Sequence, residues 1–202
     1  VLGDGEEAVL LITGIIAEWK REGRPGGREE LLLRLARTGS IYVPRFYDVQ
    51  YLPDGRIQRV APNRSDVPWR VSKHTLMDLD EWSYPKAPLV PLAETVHERM
   101  SVEIFRGCTR GCRFCQAGMI TRPVRERSIT GVAEIVEGGL KATGFEEVGL
   151  LSLSSADHSE IADIARNLAD RYEDSQTSLS LPSTRVDAFN VCLLYTSDAA
   201  DE

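Results

Sequence analysis

The chain has 202 residues, of which 42% are hydrophobic and 27% are charged, and its formal net charge is −7. This length suffices for one or two domains. The acidic balance argues against a general electrostatic attraction to nucleic acid. No apolar run approaches the ~20 residues that a membrane-spanning helix needs, and the first residues lack the basic and apolar regions of a signal peptide. No membrane partner is therefore expected.

The first hundred residues contain short, separate structural signals. Residues 6–21 carry apolar side chains at helical spacing, and residues 29–37 predict a second, shorter helix. Residues 47–60 alternate around Asp54 and Gly55, which predicts a β-hairpin. Residues 61–92 are proline-rich with little periodicity, so we expect an irregular connector.

The second half of the chain alternates between strand and helix signals. Thr130 and Ser159 are the expected N-caps of two helices, and Gly144 is the expected end of the first. The predicted strands span 101–106, 147–153 and 178–181. This order predicts an α/β fold with parallel strands. The loops that follow the three strands should then meet at one edge of the sheet.

Three cysteines fall within the loop that follows the first of these strands. Cys108, Cys112 and Cys115 have the spacing CxxxCxxC, and Phe114 precedes the third. Three thiolates can hold three irons of a 4Fe-4S cubane and leave the fourth iron without a protein ligand. A structural zinc site would need a fourth donor, and neither His97 nor His158 has the required spacing. Disulfides would leave one of the three cysteines unpaired.

This run resembles the cluster loop of the radical S-adenosylmethionine (radical SAM) superfamily. The resemblance rests on residues 107–119, Gly-Cys-Thr-Arg-Gly-Cys-Arg-Phe-Cys-Gln-Ala-Gly-Met, with support from residues 122–127 and 181–187. It implies the first βα units of a partial (βα)6 barrel, a 4Fe-4S cluster held by Cys108, Cys112 and Cys115, and bound S-adenosylmethionine. It also implies an enzyme that reductively cleaves S-adenosylmethionine to a 5′-deoxyadenosyl radical, acting on an unknown substrate. An oxygen-sensitive cluster favours a cytoplasmic location.

A second resemblance concerns the start of the chain. Residues 1–7, Val-Leu-Gly-Asp-Gly-Glu-Glu, resemble the last strand and turn of the Rossmann-like cobalamin-binding domain that precedes many radical SAM domains. The predicted organisation is therefore a remnant of a cobalamin-binding-like domain plus connector at 1–100, and the N-terminal part of a radical SAM domain at 101–191. Cobalamin is a further cofactor that this resemblance implies.

The last eleven residues, 192–202, resemble a translated sequencing adapter and are expected to be a non-native tail. Cys192 would then be no cluster ligand. Without the tail's three carboxylates the formal net charge of −7 becomes −4. A chain cut after the third strand lacks about half of the expected barrel, so we expect the fragment itself to be inactive.

The resemblance also suggests which polar groups contact S-adenosylmethionine. Ser154, Ser155 and Asp157 replace the Gly-Gly-Glu-like segment that receives the amino group in the superfamily, and helix capping is the alternative role for this stretch. Ser183 and Arg185 follow the third strand and could reach the carboxylate or the ribose. For Arg185 the alternative is a salt bridge to Asp187 or another carboxylate of the barrel. The resemblance places Phe114 beside the adenine.

Several arginines crowd the cysteine loop. Their positive charge could raise the reduction potential of an anionic cluster or dock an RNA, a phosphorylated substrate or a reductant such as flavodoxin or ferredoxin. The alternative is a set of solvated side chains, and no stacking platform supports nucleic-acid binding. The arginines are Arg106, Arg110, Arg113, Arg122, Arg125 and Arg127.

Three other functions compete with the general radical SAM enzyme. A cobalamin-dependent radical methyltransferase would fit the resemblance at residues 1–7. A methylthiotransferase shares a similar cluster loop but normally has three further cysteines upstream, and residues 1–107 contain none. A non-catalytic iron–sulfur electron-transfer module would usually fill all four iron positions with cysteines.

Overall fold

A computed structural model describes residues 1–93, 95–175 and 177–185, and the chain forms two compact units, Val1–Leu76 and Met77–Glu202. The sequence pattern placed the boundary near residue 100. The units divide earlier because the segment 77–99 packs on the second unit. Leu79 is fully buried, and the Tyr84 hydroxyl donates a hydrogen bond to the Ser101 carbonyl oxygen at 2.7 Å. The identities of the domains at 1–100 and 101–191 stay predictions, and the tail at 192–202 lies outside the described residues.

The first unit contains two helices and a hairpin, as the sequence predicts. Helix α1 spans Glu6–Arg21, and α2 spans Gly27–Arg37. Strands β1 (Tyr47–Tyr51) and β2 (Ile57–Pro62) pair antiparallel around the predicted Asp54–Gly55 turn. A small core forms between α2 and the segment that leads into the hairpin; its members include Leu33, Ala36, Ile41, Val43, Phe46 and Val67.

The predicted strand at the start of the chain is reduced to one bridge. Gly3 forms an isolated parallel bridge with His74, and α1 already begins at Glu6. Beyond β2 no further helix or strand is described before Met100, in agreement with the predicted irregular connector. None of the described helices is both long and apolar enough to cross a bilayer.

The second unit is built on a parallel sheet. Strands β3 (Met100–Glu103), β6 (Glu147–Leu151) and β7 (Ser178–Ser180) are parallel, with β6 in the centre. Helix α4 (Ile129–Thr143) lies between β3 and β6 in the chain, and α5 (Ile161–Tyr172) between β6 and β7. This confirms the mixed α/β fold, whereas continuation into a (βα)6 barrel stays a prediction.

The first predicted strand of this unit is interrupted after Glu103. The next residues form a second pair, because β4 (Phe105–Arg106) runs antiparallel to β5 (Arg125–Glu126). The main-chain N–H of Ile104 still donates to Leu151 O at 3.0 Å, and that of Arg127 donates to Ile104 O at 2.8 Å. The chain therefore leaves the sheet and returns to it at neighbouring positions. A four-residue helix, α3 (Ala117–Ile120), lies between β4 and β5 in the chain.

The two faces of the parallel sheet differ in polarity. Met100, Val102, Val148 and Leu150 are buried in one apolar core with the inner sides of α4 and α5. Each fully buried side chain of this kind contributes about 1.5–3 kcal/mol. On the other face, Ser101, Gly149 and Ser180 lie side by side in register. The sheet thus has an apolar face covered by helices and a face of small and polar residues.

Two of the predicted helix N-caps, Thr130 and Ser159, are wrong. Ser128, not Thr130, is the N-cap of α4, and its hydroxyl accepts a hydrogen bond from the Gly131 N–H at 3.0 Å. Ser159 does not cap α5 because its hydroxyl donates to the Glu126 carboxylate, as does its main-chain N–H at 2.8 Å. Glu160 takes the N-cap position without a side-chain bond. Gly144 ends α4 in the left-handed conformation (φ 73°), as predicted.

Helix α4 approaches β3 most closely at Gly139. A Cβ at this position would lie 2.3 Å from Cε and 3.0 Å from Cγ of Met100, which is 1% exposed. The neighbouring Gly138 has more space, since its Cβ would meet only Lys86 Cβ at 4.0 Å. Absence of a side chain at residue 139 therefore sets the distance between α4 and the sheet.

We expect Gly139→Ala to destabilise the chain relative to Gly138→Ala by about 1–3 kcal/mol, because the added methyl overpacks a filled core. Gly138→Ala is the matched control and should be neutral or stabilising by up to about 1 kcal/mol, since alanine favours the helix. Urea unfolding of both variants measures the difference. Equal free energies of unfolding would show that Met100 moves aside without cost.

Candidate functional site

The cysteine loop lies between β4 and β5, which pair with each other beside the parallel sheet. The β4–β5 pair ties its two ends, and Gly107 follows β4 directly with φ 98°, a conformation that side-chain-bearing residues rarely adopt. A Cβ on Gly107 would lie 2.7 Å from Pro123 O and 3.0 Å from Thr121 O. The chain segments at the two ends of the loop therefore pass so closely that only glycine fits at position 107.

Two of the three cysteine sulfurs lie around Gly118. The Gly118 N–H donates to the Sγ of Cys115 at 3.3 Å, and the Arg110 N–H donates to the Sγ of Cys108 at 3.5 Å. A Cβ placed on Gly118 would lie 3.6 Å from the Cys115 sulfur and 4.0 Å from the Cys108 sulfur. Cys112 is exposed, and its carbonyl oxygen accepts from the Cys115 N–H at 3.0 Å. All three thiols are free.

This donor set suits a cubane better than a single metal ion. Within residues 1–93, 95–175 and 177–185, no group of three or more His, Cys, Asp or Glu converges tightly enough to hold one ion. A zinc site needs four donors at about 2.0–2.3 Å from one centre. A cubane instead binds each thiolate at a different iron, so its ligands stand further apart. Two of the three thiols, Cys108 and Cys115, lie near each other around Gly118, each with an N–H donor at sulfur, which is compatible with that requirement.

His158 is already used by the fold. His158 is 3% exposed and its Nδ1 accepts from the Glu160 N–H at 3.0 Å. Its Nε2 lies 3.2 Å from the Arg127 carbonyl oxygen, so Nε2 carries the proton and donates. Both ring nitrogens of His158 are therefore engaged in hydrogen bonds of the fold.

Asp157 joins three segments at the carboxyl edge of the sheet. It ends the 3₁₀ turn Ser155–Asp157 that follows β6. Arg110, between the first two cysteines, binds its carboxylate through Nε at 3.0 Å and also through a terminal nitrogen. Arg185, after β7, donates to Oδ2 at 3.2 Å, and the Ser154 hydroxyl donates to the same oxygen at 2.8 Å. The predicted meeting of the three loops is visible in these contacts.

These contacts keep the Asp157 carboxyl ionised. The hydrogen bond from Arg110 is the main cause that lowers the pKa of Asp157 to about 2, aided by the Ser154 hydroxyl and the charge of Arg185, while burial opposes the shift. The Asp157 side chain is 12% exposed and that of Arg110 is 46% exposed. The pair is therefore sheltered on the carboxylate side and open to solvent on the guanidinium side.

Most of the side chains proposed to contact S-adenosylmethionine have partners within the protein. The Ser155 hydroxyl is buried and donates to Leu150 O at 3.0 Å, while the Ser155 N–H donates to Ser183 O at 2.7 Å. Arg185 pairs with Asp157, which realises the salt-bridge alternative; Asp187 lies outside the described residues. Phe114 is 93% exposed. The ligand roles of all six residues stay predictions.

The arginines of the loop are not a uniform solvated patch. Arg106 forms a two-point ion pair with Glu103, and Arg122 donates to Cys108 O at 3.1 Å. Arg125 and Arg127 are buried, at 5% and 4% exposed. Among the described residues Arg113 alone of the six makes no hydrogen bond or ion pair. The predicted docking patch for nucleic acid or a reductant is thus mostly engaged in the fold.

Arg127 has a structural role that sequence reasoning missed. Its guanidinium donates to Glu103 O at 3.1 Å and to Leu79 O, beside Asp80, whose carboxylate in turn accepts from the Ser128 N–H at 2.9 Å. The segment 77–84 is thereby attached to the end of β3 and the start of α4. Leu79 and Asp80 are 48 and 47 residues away from Arg127 in the chain, and no local motif marks them.

Comparison with known proteins agrees with this architecture. Residues 102–197 match the sequence model of the radical SAM superfamily, a range that contains the second half of β3, all three cysteines of the loop and the loops after β6 and β7. The match supports the radical SAM superfamily for the second unit of the chain. The chain is also similar to Uncharacterized protein MJ0966 of Methanocaldococcus jannaschii, with 29% identity over 141 residues, covering 65% of this chain and 31% of that protein. The aligned part thus spans less than a third of that relative.

We expect Gly107→Ala to destabilise the second unit by roughly 2 kcal/mol or more, because the new methyl meets main-chain oxygens at a strained φ. Gly111→Ala is the matched control in the same loop. Gly111 also has positive φ (66°), but its Cβ would meet nothing closer than an Arg122 terminal nitrogen at 3.4 Å, so about 1 kcal/mol is expected. Urea unfolding of the iron-free chain measures both, and equal losses would contradict the close crossing.

Asp157→Asn should reduce stability by about 1 kcal/mol near pH 6, a small value because water screens the half-exposed Arg110. The folded pKa of Asp157 lies below the value near 3.9 of an unfolded aspartate. The carboxylate therefore stabilises the fold above about pH 5, and this contribution is lost as the pH falls towards 2. The difference from wild type should shrink over that range in urea titrations.

The control for this series is Asp163→Asn, which removes an exposed ion pair with Arg166 on α5. We expect it to change the free energy of unfolding by less than about 0.5 kcal/mol at pH 6. A difference between Asp157→Asn and wild type that persists unchanged from pH 6 to pH 3 would contradict an ionised, arginine-bound carboxylate.

Proposed function

We propose that this protein is a radical SAM enzyme whose cluster ligands are Cys108, Cys112 and Cys115. The observation that carries the proposal is the arrangement of the cysteine loop: its ends are tied by β4 and β5, and two sulfurs accept main-chain N–H bonds around Gly118. The superfamily match over residues 102–197 supports it. Such N–H donors stabilise thiolates and help to set the potential of a bound cluster.

The protein's own residues prepare this site in three ways. Gly107 and the β4–β5 pair hold the loop at the carboxyl edge of the sheet, where ligands of parallel α/β folds bind. Buried Gly118 leaves room beside two sulfurs that any larger side chain would fill. When bound, a reduced cubane with an open iron supplies the electron that cleaves the sulfonium of S-adenosylmethionine to methionine and a 5′-deoxyadenosyl radical.

The polar face of the sheet is the proposed wall for the ligand. Ser101, Gly149 and Ser180 lie there with the Arg99 side chain, which packs over Gly149 and donates to Ser180 Oγ at 3.5 Å. These polar groups suit a polar molecule better than a hydrocarbon. The substrate stays open, as do a requirement for cobalamin, methyl or methylthio transfer, the reductant, and a cytoplasmic location. Activity of the whole protein is likewise a proposal, because this chain aligns with 31% of its curated relative.

The test is anaerobic reconstitution of the 202-residue chain with iron and sulfide. We expect about four irons per chain and, after reduction, an electron paramagnetic resonance signal that changes when S-adenosylmethionine is added. Cys108→Ala, Cys112→Ala and Cys115→Ala should each lose the change and most of the iron. Cys192→Ala, the matched control, should keep both.

The competing functions give different results. A cluster whose signal ignores S-adenosylmethionine would favour the electron-transfer module, as would loss of iron in Cys192→Ala. Stoichiometric zinc with no cluster after reconstitution would overturn the proposal. Each outcome is measured by iron binding and electron paramagnetic resonance, so the test does not require that the 202-residue chain turns over a substrate.

A further inference from the structure

The Asp157 carboxylate contacts both the cysteine loop and the segment after β7. The Arg110 guanidinium approaches it side-on, with Nε at 3.0 and 3.2 Å from the two oxygens and a terminal nitrogen on Oδ1. This two-point geometry fixes the orientation of both planes, which a lysine could not do. Arg110 is therefore held in direction as well as in distance.

Arg110 transmits this constraint to the cysteine loop because of its place in the sequence. It lies between Cys108 and Cys112, and its own main-chain N–H donates to the Cys108 sulfur at 3.5 Å. One residue thus contacts a sulfur through its main chain and Asp157 through its side chain. Movement of the Arg110 side chain away from Asp157 would release the main chain that carries this sulfur contact.

The hydrogen-bond partners of Asp157 also affect its predicted role in binding the amino group of S-adenosylmethionine. An ionised carboxylate has about four acceptor positions. Here Arg110 supplies two donor nitrogens, Ser154 one hydroxyl and Arg185 one nitrogen. These donors occupy the acceptor capacity of Asp157, so a ligand ammonium would have to displace an arginine. A role in fixing the loop agrees better with the contacts than direct ligand binding.

We infer that Asp157 is a positioning residue that clamps the cysteine loop, through Arg110, to the segments after β6 and β7. The inference rests on the proposed function for its consequence, since the clamped loop carries the cluster ligands. Arg185 donates to Oδ2 of the carboxylate, and the Ser154 hydroxyl, at the start of the turn, donates to the same oxygen. The clamp is thus anchored on the turn after β6, which is the central strand of the sheet.

The clamp also sets the charge beside the sulfurs. In the pair, the Asp157 carboxylate compensates the positive charge of Arg110. Removal of this carboxylate charge would leave the guanidinium uncompensated near anionic thiolates, which raises the reduction potential of a bound cluster. Removal of the Arg110 charge has the opposite sign. A residue that only stabilised the fold would not shift the potential in opposite directions in the two variants.

The experiment compares wild type with Arg110→Gln, Asp157→Asn and the control Arg113→Gln. Arg113 lies in the same loop and makes no hydrogen bond or ion pair with the described residues, so its loss tests the effect of removing a loop charge alone. Hydrogen exchange over residues 107–116 is measured first on the iron-free chain. Iron content and reduction potential are then measured after reconstitution. We expect at least tenfold faster exchange in Arg110→Gln and Asp157→Asn, and unchanged exchange in Arg113→Gln.

Reconstituted Asp157→Asn should show a higher potential than wild type, and Arg110→Gln a lower one. Exchange like that of wild type in both variants would overturn the clamp, and so would faster exchange with unchanged potentials. If Asp157→Asn fails to fold, Arg110→Gln still decides, because that side chain is half exposed. If wild type takes up no iron, the proposed function fails, whereas the exchange arm still tests the clamp.

Discussion

The parallel pairing of β3, β6 and β7 is the constraint on which the candidate site depends. Parallel strands bring the segments that follow them to one edge, so the cysteine loop, the turn at Asp157 and Arg185 are neighbours despite wide separation in the chain. The pairing is in turn held by the apolar face, where α4 and α5 bury Val102, Val148 and Leu150. Packing on one side of the sheet thus decides which polar groups meet at its end.

The parts of the fold that follow from local periodicity could be predicted from the sequence. The helices α1, α4 and α5 and the hairpin have apolar spacing and turn residues within a short window, and the spacing of the three cysteines is itself local. Gly144 ends its helix by a conformational preference that glycine shows anywhere. These features depend on near neighbours in the chain, so a single sequence contains enough information to predict them.

The partners of the charged residues could not be predicted in the same way. Arg110 and Asp157 are 47 residues apart, and Arg127 and Asp80 are also 47 residues apart. Each arginine had several carboxylates available, and only the tertiary fold selects among them. The predicted cap at Ser159 was wrong for the same reason, because Glu126, 33 residues away, binds that serine. The cap at Thr130 was wrong for a local reason, since Ser128 takes the position. Long-range selection, not local preference, determines the contacts of Arg110, Arg127 and Ser159.

The unequal faces of the sheet have a consequence for hydration. On the polar face the Arg99 side chain lies over Gly149 and donates to Ser180 Oγ at 3.5 Å, so polar groups of this face are partly paired within the protein. Covering this face with an apolar surface would cost about 1–3 kcal/mol for each polar group left without a hydrogen-bond partner. The sheet therefore separates an apolar side, which excludes water, from a polar side, which favours a solute able to form hydrogen bonds.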